Sequence, residues 1–520
     1  MKREGSIVLA TQPVLDLLVI GGGINGAGIA RDAAGRGLTV MLCEKEDLAS
    51  ATSSASTKLV HGGLRYLEQF KFRLVREALK ERETLLKSAP HIIWPLDFIL
   101  PHHKQLRPAW FIRLGLFIYD HLGGRKLLSS SKGVSLKKSS YGSPLQKTYT
   151  KGFRYSDCWV EDSRLVVLNA MDARERGAGI FTRTECLELS IDPQTKIWKA
   201  LIHDKVSNQG HEVQARCVVN ATGPWVSEML KKYSGNIGAH QIRLVKGSHI
   251  IVPRLYAEDH AYILQNDDER IVFVIPYEGD FSLIGTTDQE FHDDPNKVQI
   301  SEEEIQYLCQ SVNNYFEQQI CKEDVLWSYS GVRPLLDDGE EELSEVTRDY
   351  LLEVEKVANA SILSVYGGKI TTYRKLSEQA VNMVMKELGR SGSPWTKKAV
   401  LPGGALNAIN FDTFFKSFSR EYSALPKDLL RRLGRAYGER ARLILKRSRN
   451  LKDLGEDLGD GVYEAEIYYL IKQEWARSIE DVLWRRSKLG LHVTDETVTN
   501  IRRVMKKYLS SQTQGTVANG

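Results

Sequence analysis

The sequence predicts a mixed α/β fold in three parts: a nucleotide-binding unit assembled from separated stretches, a strand-rich region and a helical C-terminal end. Three observations carry this. Residues 17–45, LLVIGGGINGAGIARDAAGRGLTVMLCEK, alternate apolar strand, glycine turn, Ala-rich helix and second strand. The strand-then-glycine pattern returns at 216–223 and again at 361–390, where SILSVYGG leads into a helical run. Residues 225–350 hold β-branched and aromatic runs such as SHIIVPRLY, RIVFVIPYE and FSLIGTTD, which read as strands of a large sheet. Beyond LPGGA the periodicity is helical almost to the end.

Taken in order, Leu17 to Ile20 is an apolar strand, and Gly21, Gly23 and Gly26 give the G-x-G-x-x-G spacing at the start of a helix from Ile24 to Gly35. Gly21 permits a tight turn, Gly23 lets backbone approach a pyrophosphate, and Gly26 lets helix and strand pack closely. The helix N-terminus presents unpaired N–H groups and a positive dipole end to the phosphates. The second strand ends at Glu44, eighteen residues past Gly26, where a carboxylate accepts ribose hydroxyls and repels a 2′-phosphate. Glycines crowd any tight turn, so the spacing alone is weak; strand, helix and acid together make a dinucleotide site. The motif by itself does not separate FAD from NAD.

A helical stretch, FRLVREALKERETLLKSA, follows, and the adjacent His102 and His103 read as loop residues rather than shared metal ligands. Residues 107–124, RPAWFIRLGLFIYDHLGG, mix aromatic and aliphatic side chains with Arg107 and Arg113. They suit either a bilayer interface, with rings at headgroup depth, or a core helix with a charged rim. The Ser/Lys-rich stretch SSSKGVSLKKSSYGSPLQK reads as a mobile loop. Residues 401–520 carry 21 basic against 15 acidic side chains, which leaves the rest of the chain near neutral. Runs such as LLRRLGRAYGERARLILKRSRN read as a solvated helix face, with an anionic membrane surface or partner as the sharper alternative.

The chain has 520 residues, room for about three domains at the usual ~150 residues each or for two large ones. Apolar content of 42% and charged content of 26% are those of an ordinary soluble globular protein. The six cysteines form no C-x-x-C pair or ligand-like cluster, which argues against a disulfide scaffold, a zinc site or an iron–sulfur cluster and suits a reducing cytoplasm. MKREGSIVLATQP lacks the apolar core of a signal peptide, and no run reaches the ~18 apolar residues of a membrane span.

FAD is favoured over NAD because the nucleotide fold is revisited late in the chain. Ala221, Thr222 and Gly223 form a compact turn after a strand, and Gly367–Gly368 precede a helix starting near Ile370. Reduced flavin carries negative charge toward its pyrimidine edge. A helix N-terminus with Lys369 beside it stabilises that charge, and Gly368 admits the ring. A plain strand-to-helix turn with a surface lysine is the structural alternative.

GGGINGAGIARDAAGRGL, ATSSASTKLVHGGLRYLEQFKFRLVREAL, RYSDCWVEDSRLV, NATGPW, KGSHIIVPR, AYILQNDDERIVFVIPYE, IGTTD, YSGVRPL, TRDY and GGKITTYRKLSE closely resemble the FAD-dependent, respiratory glycerol-3-phosphate dehydrogenase family, from about residue 15 to about residue 495. The resemblance implies a glutathione-reductase-like Rossmann FAD domain, an antiparallel-sheet substrate domain and an all-helical C-terminal cap. The boundaries expected on this basis are 12–80, 151–224 and 351–395 for the FAD domain, 81–150 and 225–350 for the substrate domain, and 400–520 for the cap. It implies oxidation of sn-glycerol 3-phosphate to dihydroxyacetone phosphate by hydride transfer to FAD, with electrons passed to a membrane quinone; an oxidase that releases hydrogen peroxide is the alternative. No long insertion interrupts the FAD region, which counts against the oxidases. The family also implies a peripheral protein in the cytoplasm or on the cytoplasmic face of the inner membrane, without nucleic-acid partners, and leaves a homodimer open. The role of the N-terminal extension MKREGSIVLA is not assigned.

A phosphate of charge near −2 needs several cations, and forked guanidinium groups suit it. Motif by motif, the resemblance places Arg65, Tyr66, Arg333, Arg348, Lys369 and Thr372 at the substrate. His249 in KGSHI is the candidate base, because imidazole titrates near neutrality, and a core histidine is the competing reading. Arg333 or Lys369 is the alternative stabiliser of the developing alkoxide. For the cofactor, Gly21, Gly22, Gly23, Asn25 and Gly26 are expected at the pyrophosphate, Glu44 at the ribose, and Thr52, Ser53 and Ser54 on the flavin side. Ala221, Thr222 and Gly223 close over the dinucleotide, with Gly368 and Lys369 at the ring.

Overall fold

The computed structural model describes residues 13–234, 240–337, 349–406 and 410–514. Leu17, Leu18 and Val19 have no solvent exposure, as a central parallel strand covered on both faces requires. Their strand, Leu15–Ile20, lies between Gln209–Asn220 and Val40–Glu44, both parallel to it. Ala360–Gly367 and Gly179–Thr182 extend the parallel order on either side, and Tyr350–Val357 closes one edge antiparallel. The three separated returns of the sequence pattern are therefore neighbours in one sheet. Helices Ile24–Gly35, Asp162–Glu175 and Tyr373–Glu387 cover one face, packing through Ile29, Ala30, Leu165, Met171 and Leu376. An antiparallel ladder, Thr184–Ile191 with Trp198–Asp204, helps cover the other around Leu18, Trp198 and Val218.

The second sheet has ten strands and is antiparallel apart from the pairing of Ala261–Gln265 with Ile93–His102. Successive side chains point to opposite faces, so Phe98 and Ile263 pack toward helices Phe72–Ser88 and Ala109–Leu122. Ile99 and Tyr262 pack toward helix Glu302–Asn313. The C-terminal helices, among them Phe411–Glu421, Lys427–Tyr437 and Glu464–Gln473, close over a separate core that includes Phe414, Leu430, Tyr437 and Leu470.

Several expectations need correction. Strand Lys151–Val160 belongs to the second sheet, paired along its length with Ile93–His102, so the chain crosses between sheets near Glu161 and not at residue 151. A strand buried on both faces looks alike in either sheet. His102 ends that ten-residue strand instead of lying in a loop. The Ser/Lys-rich stretch contains a strand, Lys132–Ser135, and is pinned by the Gln146 N–H donating to the Tyr315 carbonyl at 2.9 Å. The third helix starts at Tyr373, three residues later than expected. In the basic C-terminal run, Arg432 pairs with Glu466 and Arg435 lies 3.7 Å from the Phe411 ring centroid; burial pushes the Arg435 guanidinium down to about 10. These two bases pack inward through their long stems, while Arg431, Lys446, Arg447 and Arg449 of the same run are exposed, as a solvated face requires.

Candidate active site

The parallel strands end together at Ile20, Glu44, Asn220 and Gly367, and the glycine loop bridges their carboxyl ends, the place where open α/β sheets bind ligands. Gly21 has φ +111°, and a Cβ there would lie 2.4 Å from the Ala221 carbonyl oxygen. A Cβ on Gly26 would lie 1.9 Å from the Gly21 oxygen. Gly23 differs: its Cβ would meet only the Ser53 hydroxyl, at 3.2 Å, so the approach in front of it is open. The Ser53 oxygen accepts from the Ile24 N–H at 3.0 Å and occupies one helix-terminal donor.

Glu44, expected at a ribose, is bonded to the backbone through both oxygens. One oxygen accepts from the Gly22 N–H at 2.6 Å and the other from the Glu46 N–H at 2.8 Å, so the carboxylate also holds the glycine loop. Burial pushes its pKa up against the pull of these two donors. Thr52 donates to the Val332 carbonyl at 2.6 Å, Ser54 to Ala51 at 3.2 Å, and Thr222 to the Asn220 side chain at 2.7 Å. Gly223 has φ +59° and room around it. Asn25 donates to the Gly367 carbonyl at 3.1 Å, while its buried Oδ1 has no partner among the described residues. Gly368, at φ +106°, packs against that amide. A cavity of about 680 Å³ runs past Gly21, Gly23, Glu44, Thr52–Ser54 and Ala221–Gly223 to Tyr329 and Val332 of the second sheet. Open backbone at Gly23, an acid at the ribose position and glycine-only turns on three sides fit a dinucleotide.

The residues expected at the substrate come from three described segments. Arg333 lies on strand Trp327–Leu336, where its guanidinium pairs with Asp288 and donates to the Thr287 carbonyl at 3.2 Å. A Cβ on Gly247, one strand over, would lie 2.6 Å from that guanidinium. The next residue, Pro334, approaches Gly367, which brings the strand against the turn carrying Lys369. The Lys369 ammonium sits 3.9 Å from the Tyr66 ring centroid. Arg65, beside Tyr66 on a 3-10 turn, is partly buried and makes no ion pair among the described residues. Thr372 is buried at the N-cap of the third helix. Arg348 lies outside the described residues. None of Arg65, Tyr66, Arg333 or Lys369 lines this cavity, although Tyr329 to Val332, just before Arg333, do.

His249 is buried, stacked on Tyr329 with centroids 4.8 Å apart, and its Nε2 lies 3.0 Å from the Thr57 hydroxyl. A Cβ on Gly285 would strike this ring, so that glycine seats it. Burial, with Lys58 and Arg333 nearby, holds its pKa well below the usual histidine range. The partner is a side-chain hydroxyl and not the backbone expected of a core histidine.

Sequence reasoning missed three groups. His61, at the start of the His-Gly-Gly turn, is partly exposed, and its backbone N–H donates to the buried Thr371 hydroxyl. Tyr119 holds that turn: its hydroxyl accepts from the Gly62 N–H at 2.8 Å and donates to Asp157 at 2.7 Å. Lys58, fully buried, pairs with Asp162 at 2.9 Å. The HGG string flags His61; the other two need tertiary contacts to be seen.

Comparison with known proteins matches residues 16–374 to the FAD dependent oxidoreductase family and residues 394–514 to the C-terminal domain of alpha-glycerophosphate oxidase. The chain is 49% identical to the D-erythritol 1-phosphate dehydrogenase of Brucella abortus, over 94% of this chain and 97% of that one. It is 52% identical to the glycerol-3-phosphate dehydrogenase of Pseudomonas aeruginosa, over 92% and 93%. It superposes on the glycerol-3-phosphate dehydrogenase from Bacillus halodurans complexed with FAD with a TM-score of 0.77, at 28% identity, covering 96% of this chain and 91% of that one.

Proposed function

Because the chain belongs to the FAD-dependent glycerol-3-phosphate dehydrogenase family, we propose that it oxidises a polyol phosphate, sn-glycerol 3-phosphate first among them, to the ketone, dihydroxyacetone phosphate. The observation that carries the reading is Lys369 lying over the ring of Tyr66, next in sequence to Arg65, with the strand of Arg333 packed against the Gly367 turn at the carboxyl end of the cofactor sheet. FAD, when bound, supplies the hydride acceptor. The residues of the chain do the rest. Arg65, Arg333 and Lys369 hold the phosphate, each charge-assisted hydrogen bond adding about 1.5–3 kcal/mol. Asp288 keeps Arg333 aimed until the phosphate arrives. The substrate hydroxyl loses its proton to His249, held neutral by burial; His61 is the second candidate, favoured by its partial exposure on the turn that carries Arg65. Arg348 completes the cation set by its TRDY motif.

The electron acceptor proposed is a membrane quinone. Helix Ala109–Leu122 buries Leu116 and Tyr119 and leaves Trp110 69% and Phe117 53% exposed. Phe70 and Phe72 are exposed near it, five and seven residues past Arg65. No described helix is long and apolar enough to cross a membrane. This exposed aromatic face supports docking at a bilayer surface on the cytoplasmic side, beside the substrate turn that Tyr119 anchors. The test is stopped-flow reoxidation of substrate-reduced protein on liposomes. Fast reoxidation by a ubiquinone analogue, with little peroxide, is expected; stoichiometric peroxide and indifference to quinone would establish the oxidase instead. Parallel assays with D-erythritol phosphate decide which polyol phosphate is preferred.

A further inference from the structure

One turn of the C-terminal domain touches both sheets of the fold. Asp481–Arg486 is a π-helical turn, a geometry frequent at functional positions. On one side Trp484 stacks on Trp327, with centroids 4.0 Å apart and planes 11° from parallel, at the start of the strand that carries Arg333. On the other side the Arg486 guanidinium donates to both oxygens of Asp47, at 2.6 and 2.8 Å, and Arg485 adds a third bond at 2.7 Å. Burial opposes ionisation of Asp481, but Arg486, Arg183 and Arg485 hold its carboxyl below the usual carboxylate range.

Asp47 sits in the cofactor loop. The Gly22 N–H is held by Glu44, and the Gly22 carbonyl accepts from the Ala49 N–H at 3.1 Å, so residues 44–49 grip both peptide groups of one glycine in the pyrophosphate turn. The side chains of Asp47, Asp481 and Arg486 are at most 1% exposed. Burying ions is no efficient route to stability, since apolar side chains of like volume serve as well or better. A carboxylate held by a rigid fork supplies direction instead.

We propose that this turn is a positioning device for FAD, acting through Asp47, so that the C-terminal domain sets how tightly the cofactor loop grips its ligand. The inference rests on the FAD cleft and not on the substrate. The test uses the full chain and reads the FAD dissociation constant, by flavin fluorescence, alongside the melting temperature of the apoprotein. Asp47→Asn weakens FAD binding at least about tenfold. The double variant Asp47→Leu/Arg486→Met regains the wild-type apoprotein melting temperature but keeps the weak FAD binding, because an apolar pair restores packing and not direction. Wild-type FAD affinity in Asp47→Asn, or affinity that recovers together with stability in the double variant, overturns the proposal. If Asp47→Asn does not fold, Arg486→Lys, which keeps the charge and loses the fork, decides in the same way: weakened FAD binding supports it and unchanged binding refutes it. A failure of glycerol 3-phosphate to reduce the flavin would bear on the substrate reading and leave these measurements intact.

Discussion

The cofactor cleft and the proposed substrate pocket are built by opposite means. The cleft is backbone and absence: Gly21, Gly23 and Gly26 matter because no side chain fits or because none is wanted, and Glu44 anchors the loop through two N–H groups. The proposed pocket is long cationic side chains from segments hundreds of residues apart, already engaged with Asp288 and Tyr66. A cleft of the first kind tolerates almost no added atom. A pocket of the second kind is graded, since each cation can be weakened alone.

The largest effect expected from that contrast is Gly26→Val. Its Cβ falls 1.9 Å from the Gly21 oxygen, a backbone atom that cannot move aside, so the protein purifies without flavin absorbance. A yellow Gly26→Val protein would break the comparison. Arg333→Met comes next: KM for glycerol 3-phosphate rises by roughly 10- to 150-fold, the equivalent of about 1.5–3 kcal/mol, while bound FAD is unchanged. Co-purifying flavin lost with Arg333 would show that the two regions are one. Glu44→Gln replaces one acceptor oxygen with an NH₂ group facing an N–H donor, and FAD affinity drops by about tenfold in equilibrium titration.

A comparable effect lies outside both regions. Burial lowers the pKa of His91 to about 3 and that of His260 to about 4, against an ordinary value of 6.5. Below about pH 6.5 the unfolded chain takes up protons at these rings and the folded chain does not, so stability falls as the pH drops. At pH 5 this is on the order of 1–2 kcal/mol for His91, and the melting temperature of His91→Asn should depend less on pH between 7 and 5 than that of wild type. Identical slopes would contradict the burial argument.

How much of this was legible in the sequence follows the same division. The cleft is coded locally, so strand, glycine spacing and Glu44 could be read within thirty residues, and the parallel neighbours at 209–220 and 360–367 from their recurring strand–glycine pattern. The other partner of Glu44, its grip on Gly22, could not, because a hydrogen bond across the loop leaves no spacing signature. On the substrate side the motifs named Arg65, Tyr66, Arg333 and Lys369, but not that Asp288 already faces Arg333, nor that His249 stacks on Tyr329 with its Nε2 on Thr57. Those depend on register: His249 lies opposite Tyr329 and Gly285 only because three antiparallel strands align so. The sheet crossing near Glu161 was misplaced because Lys151–Val160 is buried on both faces, as a parallel strand would be.

The central claim is that a cation cluster holds a phosphate so that the adjoining carbon faces the flavin. Anaerobic titration of the purified protein, followed by flavin absorbance, tests it most directly. Glycerol 3-phosphate should bleach the flavin at micromolar to millimolar concentrations, with the Arg333→Met protein shifted upward by the factor given above, and glycerol without its phosphate should leave it oxidised. Equal bleaching by glycerol, or none by any polyol phosphate, would contradict the account.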